Sequence, residues 1–278
     1  MSTNGQINII FPDGNVKRFP RGISSLDVAK SISSALAEEA LVSNVNGRLV
    51  DLFSPIVEDA EIKFLKFSDE DGKKVYWHTS SHIMAQAIEE LFPGAKFGVG
   101  PPIENGFYYD VDSDHKFSED DLREIEKRMI EISRRDLKTQ REEMKRLDAI
   151  KFFQTKRFDP YKVEILQDIA KDEEVVSLYH QGEFTDLCKG PHLPTTAKLK
   201  HVKLLGVSGS YWRGDSNKKQ LQRIYGISFP DKKDLDDYLK ILDEAKKRDH
   251  RKIGKELDLF FFNEISPGAP FWLPNGMV

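Results

Sequence analysis

The chain has 278 residues, roughly two domains at ~150 residues each, with 39% hydrophobic and 32% charged residues and a formal net charge of -4. No run approaches the ~18 apolar residues of a membrane-spanning helix, and the start, MSTNGQINIIFPDG, lacks the basic and apolar stretches of a secretory signal, so a soluble, cytoplasmic protein is expected. The single cysteine, Cys188, excludes an intrachain disulfide and a multi-cysteine zinc ribbon, and the mild acidity argues against a sequence-blind nucleic-acid binder, which needs a large positive excess.

In chain order, Gln6–Phe11 alternates with period two and predicts a strand. Pro12-Asp13-Gly14-Asn15 is turn chemistry, and Val16–Phe19 completes a hairpin. Leu26–Glu39 has helical spacing, with Ser24 or Ser25 as N-cap. Short strands follow at Ala40–Asn46 and Ile62–Leu65, with a turn at Asn46-Gly47. This order predicts a small ubiquitin-like sheet crossed by one helix. Ser68–Lys74 reads as a linker.

Thr79–Phe92 reads as an amphipathic helix stopped by Pro93-Gly94, and Phe97–Asp110 as a loop feeding a strand. Ser118–Ala149 is expected to be one long charged helical region, begun by a serine and three acids that suit the helix dipole. Asp159-Pro160 opens another helix over Phe158–Ala170. Val175–Tyr179 and Val202–Val207 read as strands, and Lys232–Gly254 as a helix with a basic end, Lys246–Lys252. Leu257–Phe262 and Ala269–Leu273 are apolar and aromatic, and are expected to open a further domain that continues beyond Val278.

Four of the eight histidine and cysteine residues fall in two motifs, His78-x-x-x-His82 and Cys188-x-x-x-His192. Residues i and i+4 share a helix face, so His78 and His82 can converge. Gly190-Pro191 prevents a regular helix in the second motif and makes it a loop that can aim Cys188 and His192 at one point. Three imidazoles and a thiol would make a tetrahedral zinc shell. The plain alternative is a packed histidine beside Trp77. A metalloprotease motif is excluded, because Thr79 stands where its glutamate belongs. Cys-His nucleophilic catalysis stays open. Gly98-Val99-Gly100-Pro101-Pro102 resembles half a phosphate loop, but its prolines remove amide donors. Tyr211-Trp212-Arg213 offers stacking surface and a guanidinium suited to a nucleotide; the alternative is a packed tryptophan beside a surface arginine.

Taken together, these motifs resemble the N-terminal part of the bacterial threonyl-tRNA synthetases. The residues that carry the resemblance are His78-x-x-x-His82, Gly106-Phe107-Tyr108-Tyr109-Asp110, Asp186-Leu187-Cys188-Lys189-Gly190-Pro191-His192, Gly209–Asp215 and Arg248–Gly254. Lys189 and Ser210 depart from the family's frequent Arg and Ala. The resemblance implies an α+β, α/β multidomain chain. Residues 1–65 would be a TGS β-grasp domain, 67–228 an α/β editing domain, 229–254 a linker helix, and 255–278 the start of a class II catalytic domain.

It also implies a reaction. A site built for threonine cannot reject serine on volume, because one methyl is worth only ~1–3 kcal/mol. A second site therefore hydrolyses the seryl ester at the terminal adenosine of tRNA(Thr). His78, His82, Lys162, Asp186, Cys188 and His192 would be catalytic. His78 would position or deprotonate water, Lys162 would orient it or stabilise the anion, and Asp186 would recognise the seryl ammonium or hydroxyl. Gly100, Tyr109, Tyr211 and Arg213 would bind substrate. The threonyl branch is expected to work without a metal at the His/Cys set, although the spacing alone suggests zinc. ATP, Mg and a catalytic-domain zinc, with homodimerisation, would belong to the part absent here. The alternatives are a non-catalytic RNA-binding or regulatory TGS module and a free-standing zinc hydrolase.

Overall fold

Strands Gln6–Ile10 and Val16–Pro20 form the expected antiparallel hairpin. The computed structural model describes residues 5–263, 265 and 268–277. It divides into two compact units, 1–230 and 231–278. In the first sheet the hairpin strand Gln6–Ile10 pairs in parallel with Ala60–Leu65, which continues antiparallel to Val42–Val45 and then Arg48–Val50. Alternation sends Ile7, Ile9 and Ile62 inward, where they meet Val28 of the crossing helix. This is the predicted β-grasp arrangement. The predicted helix is divided in two, Ser25–Ile32 and Ser34–Glu39. Ser33 is extended and caps the second helix, its side chain accepting from the Leu36 amide. A serine hydroxyl competes well for such a donor, and apolar spacing does not register the break.

The predicted linker is instead the start of a 22-residue helix, Glu70–Leu91. Glu70 and Asp71 suit its positive end, and Asp69 accepts from the Lys66 amide. A Cβ on Gly72 would lie 2.0 Å from the Lys66 carbonyl oxygen, so this glycine lets the first turn pack on the preceding chain. The helix lies against a second sheet whose main strands are His201–Tyr211, Gln220–Phe229, Gly106–Asp112 and Lys96–Phe97. Phe107 and Tyr109 point into the core, while Tyr108 meets the Arg223 guanidinium at 3.9 Å.

The expected long helical region is three elements. Glu119–Arg134 is a helix with Ser118 and Asp121 in a reciprocal capping box, and it buries Leu122, Ile125, Met129 and Ile132 as the spacing predicts. Thr139–Lys145 is then a strand, and Arg146–Thr155 a second helix. Asp136 turns the chain at φ 50°. Seven residues of Thr139–Lys145 pair with Val175–Gln181, and this non-local pairing overrides the helical propensity of a charged run. With Phe184–Leu187 they make a third sheet. Helices Arg146–Thr155 and Pro160–Asp168 supply Phe153 and Leu166 to its core, around Leu178.

In the second unit the predicted single helix is two, Lys232–Lys247 and His250–Glu256, because Arg248 ends the first and the Asp249 side chain caps the second. Strands Phe260–Phe262 and Pro270–Trp272 form a hairpin. On it Phe261 stacks on Phe271, and both are exposed. Val278, where the chain's continuation was expected, lies outside the described residues.

Candidate active site

A cleft of about 470 Å³ opens in the first unit. One wall comes from the long helix, which carries His78 and His82 one turn apart. A second comes from Pro160–Asp168, where Asp159 accepts from the Tyr161 and Lys162 amides and so fixes the first turn. Strand Phe184–Leu187 and the turn after it supply Asp186 and Cys188, and the segment Val99–Pro101 closes another side. Ile165, Ile169, Ala170, Val176 and Leu187 form an apolar wall, with Glu173, Ser177 and Lys189 beside it.

The His/Cys motifs meet. One ligand atom from each of His78, His82, Cys188 and His192 lies within 4.8 Å of the others. The Cys188 Sγ is 3.4 Å from His78 Nε2 and 3.2 Å from His192 Nε2, and it accepts from the Gly190 amide. The second ring nitrogens are also occupied: His192 Nδ1 faces Thr79 Oγ1 at 3.2 Å, and His82 Nδ1 faces Asp186 Oδ2 at 3.5 Å. Burial drives His78 down to about 4, despite the opposing pull of Asp186, and holds His82 and His192 well below the ordinary imidazole range. Burial likewise pushes the Cys188 thiol up to about 12. The set is therefore neutral, and its thiol is not an activated nucleophile. The donor set and its outer hydrogen bonds also fit a borderline cation such as zinc.

Beside this cluster is a buried ion pair. Lys162 Nζ lies 2.6 Å from Asp186 Oδ1, with both side chains almost fully enclosed. The ammonium also donates to the Gly98 carbonyl at 2.9 Å and the Tyr109 hydroxyl oxygen at 3.1 Å. Tyr109 donates in turn to Asp186 Oδ2. All three Lys162 donors and both Asp186 oxygens thus have partners. Burial, and then Asp186, keep the Tyr109 phenol protonated.

Of the residues singled out in the sequence, His78, His82, Gly100, Tyr109, Lys162, Asp186 and Cys188 line the cleft, and His192 stands behind Cys188. Gly100 presents its carbonyl to Ser81 Oγ at 2.6 Å. Tyr211 and Arg213 are outside this lining. Tyr211 is exposed, and Arg213 pairs with Glu164 and Asp168 on the outer side of Pro160–Asp168. The sequence reading missed the apolar wall, Thr79, and Asp51, which reaches the site from the first sheet. The wall residues belong to a helix and strand whose periodicity marks them only as core. Nothing in the local sequence marks Asp51.

Family models match two stretches. Residues 7–66 match the TGS domain, and residues 176–225 match the threonyl and alanyl tRNA synthetase second additional domain. Along 98% of its length the chain is similar to curated threonine–tRNA ligases. It is 57% identical to those of Chloroherpeton thalassium and Pelodictyon phaeoclathratiforme, and 56% identical to that of Prosthecochloris aestuarii. The chain spans only 41–42% of the length of these relatives.

Proposed function

We propose, for a chain that belongs to the threonyl-tRNA synthetases through its TGS and second additional domains, that the cleft hydrolyses the ester of mischarged seryl-tRNA(Thr). The observation that carries the reading is the convergence of a neutral imidazole and a paired lysine on one partly apolar cleft, whose Asp186 and Cys188 fall in the stretch, residues 176–225, similar to that second additional domain. The apolar wall suits the face of a terminal adenosine, and the polar walls suit the aminoacyl ester.

In this reading His78 takes a proton from water. It is the only imidazole of the cluster that is not fully buried, and it stays unprotonated at neutral pH. The water oxygen bonds to the ester carbonyl carbon, and the bond to the ribose oxygen breaks. The proton held by His78 passes to that leaving oxygen, giving serine and an intact tRNA end. Lys162 acts on the developing oxyanion through its charge, in a site where little water screens it. Asp186 faces the seryl ammonium or hydroxyl while holding Lys162 and Tyr109 in place. His82, Cys188 and His192 shape the floor. Tyr211 and Arg213, outside the lining, contact tRNA beyond its terminal nucleotide.

The reaction proposed is metal-free. A cation held by His78, His82, Cys188 and His192 would supply Lewis-acid chemistry and a more acidic bound water. Metal analysis of the purified chain, with hydrolysis measured with and without chelator, separates the two cases.

We place the domain limits at 1–65, 67–228, 229–254 and 255–278. Threonine activation with ATP, Mg and zinc, homodimerisation and a cytoplasmic location are proposed for the whole protein. No described helix is long and apolar enough to cross a membrane. The test is to mix the chain with Ser-tRNA(Thr) and Thr-tRNA(Thr). Selective loss of the seryl ester supports the reading. Binding without turnover would instead support a non-catalytic RNA-binding module.

A further inference from the structure

We infer that Asp51, a residue of the TGS domain, is a positioning residue for the hydrolytic cleft: its carboxylate grips the His192 amide and Tyr179, and through the Cys188–His192 turn orients His78. The inference rests on the hydrolytic reading above. Asp51 follows strand Arg48–Val50 of the first sheet and is only 3% exposed. Each oxygen has a partner outside its own domain. Oδ1 accepts from the His192 amide at 2.7 Å, and Oδ2 accepts from the Tyr179 hydroxyl at 2.8 Å. A carboxylate buried this deeply is costly unless it is held, and both groups that hold it lie more than 120 residues away, in the domain that carries the cleft.

What the carboxylate grips is the frame of the Cys188–His192 turn. The Tyr179 ring is 4.4 Å from the His192 ring. Its hydroxyl sits where a Cβ on Gly190 would come within 1.9 Å, so the turn lies directly on this tyrosine. The His192 amide and the Pro191 carbonyl are two ends of one planar peptide. Asp51 takes the amide. The His78 ring lies against the same segment, 4.4 Å from the His192 ring. The same turn sets Cys188 against the Nε2 atoms of His78 and His192. A group in the first sheet thereby fixes which way the proposed base points.

The test uses the full chain with Asp51→Ala, Asp51→Asn and Tyr179→Phe. Asp51→Ala is expected to lower single-turnover kcat for Ser-tRNA(Thr) by ~10–100-fold, as lost orienting hydrogen bonds do, with KM little changed. Asp51→Asn keeps an acceptor for the His192 amide and a group for Tyr179, and is expected to recover most of the rate. Long-range proton–nitrogen spectra of the imidazoles give a readout independent of turnover. The His78 resonances should move in Asp51→Ala and return in Asp51→Asn. A folded Asp51→Ala protein with wild-type kcat and unmoved His78 resonances would overturn the inference. So would an equal loss in Asp51→Asn and Asp51→Ala, which would mean that the geometry retained by asparagine is irrelevant. Should Asp51→Ala fail to fold, Tyr179→Phe decides: moved His78 resonances support the inference, and unmoved ones overturn it. A wild-type chain that leaves the seryl ester intact removes the hydrolytic reading, while the spectra still decide whether Asp51 orients His78.

Discussion

At the cleft three imidazoles and a thiol are buried as neutral groups, and beside them a lysine and an aspartate are buried as an ion pair. Both sets face the same loss of water. The imidazoles respond by giving up their protons: burial lowers all three, and in His78 it outweighs the attraction of Asp186. The lysine has a carboxylate at 2.6 Å and two further acceptors. The contrast teaches how one cleft can hold a proton acceptor and a positive charge side by side. Imidazole neutrality comes from burial among like groups, whereas the lysine is buried with an acceptor for each of its three donors.

Substitutions break this contrast in order of size. His78→Ala removes the acceptor from a half-buried position, so seryl ester hydrolysis should fall by ~10²–10⁴ while thermal stability stays near wild type; retained turnover would assign the base elsewhere. Lys162→Ala should lower single-turnover hydrolysis by ~10²–10³. It should also destabilise the fold by about 3–5 kcal/mol in urea unfolding, since Asp186 is left buried without its cation. A variant as stable as wild type would mean that the ion pair does not hold the site together. Tyr109→Phe deletes one bond to Asp186 and one from Lys162. A loss of about 1–3 kcal/mol is expected from the buried groups left unpaired, measurable as a lower urea midpoint. Ser118→Ala, far from the cleft in sequence and in the capping box of Glu119–Arg134, should cost about 1 kcal/mol and leave hydrolysis unchanged. A rate defect there would show that overall loosening, and not the site residues, explains the larger losses.

Much of this site was legible before the fold. HxxxH spacing put His78 and His82 on one helix face, and Gly190-Pro191 made the Cys188–His192 segment a turn. The β-grasp sheet followed from a hairpin, a helix and short strands in order. What stayed hidden was non-local or carried by polar capping. Thr139–Lys145 became a strand because Val175–Gln181 pairs with it. Ser33 and Asp249 divided helices whose apolar spacing runs straight through them. Arg213 looked like a nucleotide contact by type, yet Glu164 and Asp168 hold it away from the cleft lining. Asp51 had no signal at all, since its partners are set by how the first sheet meets the turn of His192.

The neutral cluster and the ion pair are claimed to act as one catalytic unit on the seryl ester. A double-mutant cycle on single-turnover serine release from Ser-tRNA(Thr), using wild type, His78→Ala, Lys162→Met and the double variant, tests that claim most directly. The predicted result is a large loss in each single variant and a double variant little worse than the weaker single, as for residues that act together. Independent, multiplying losses, or a wild-type chain that spares the seryl ester, would contradict it.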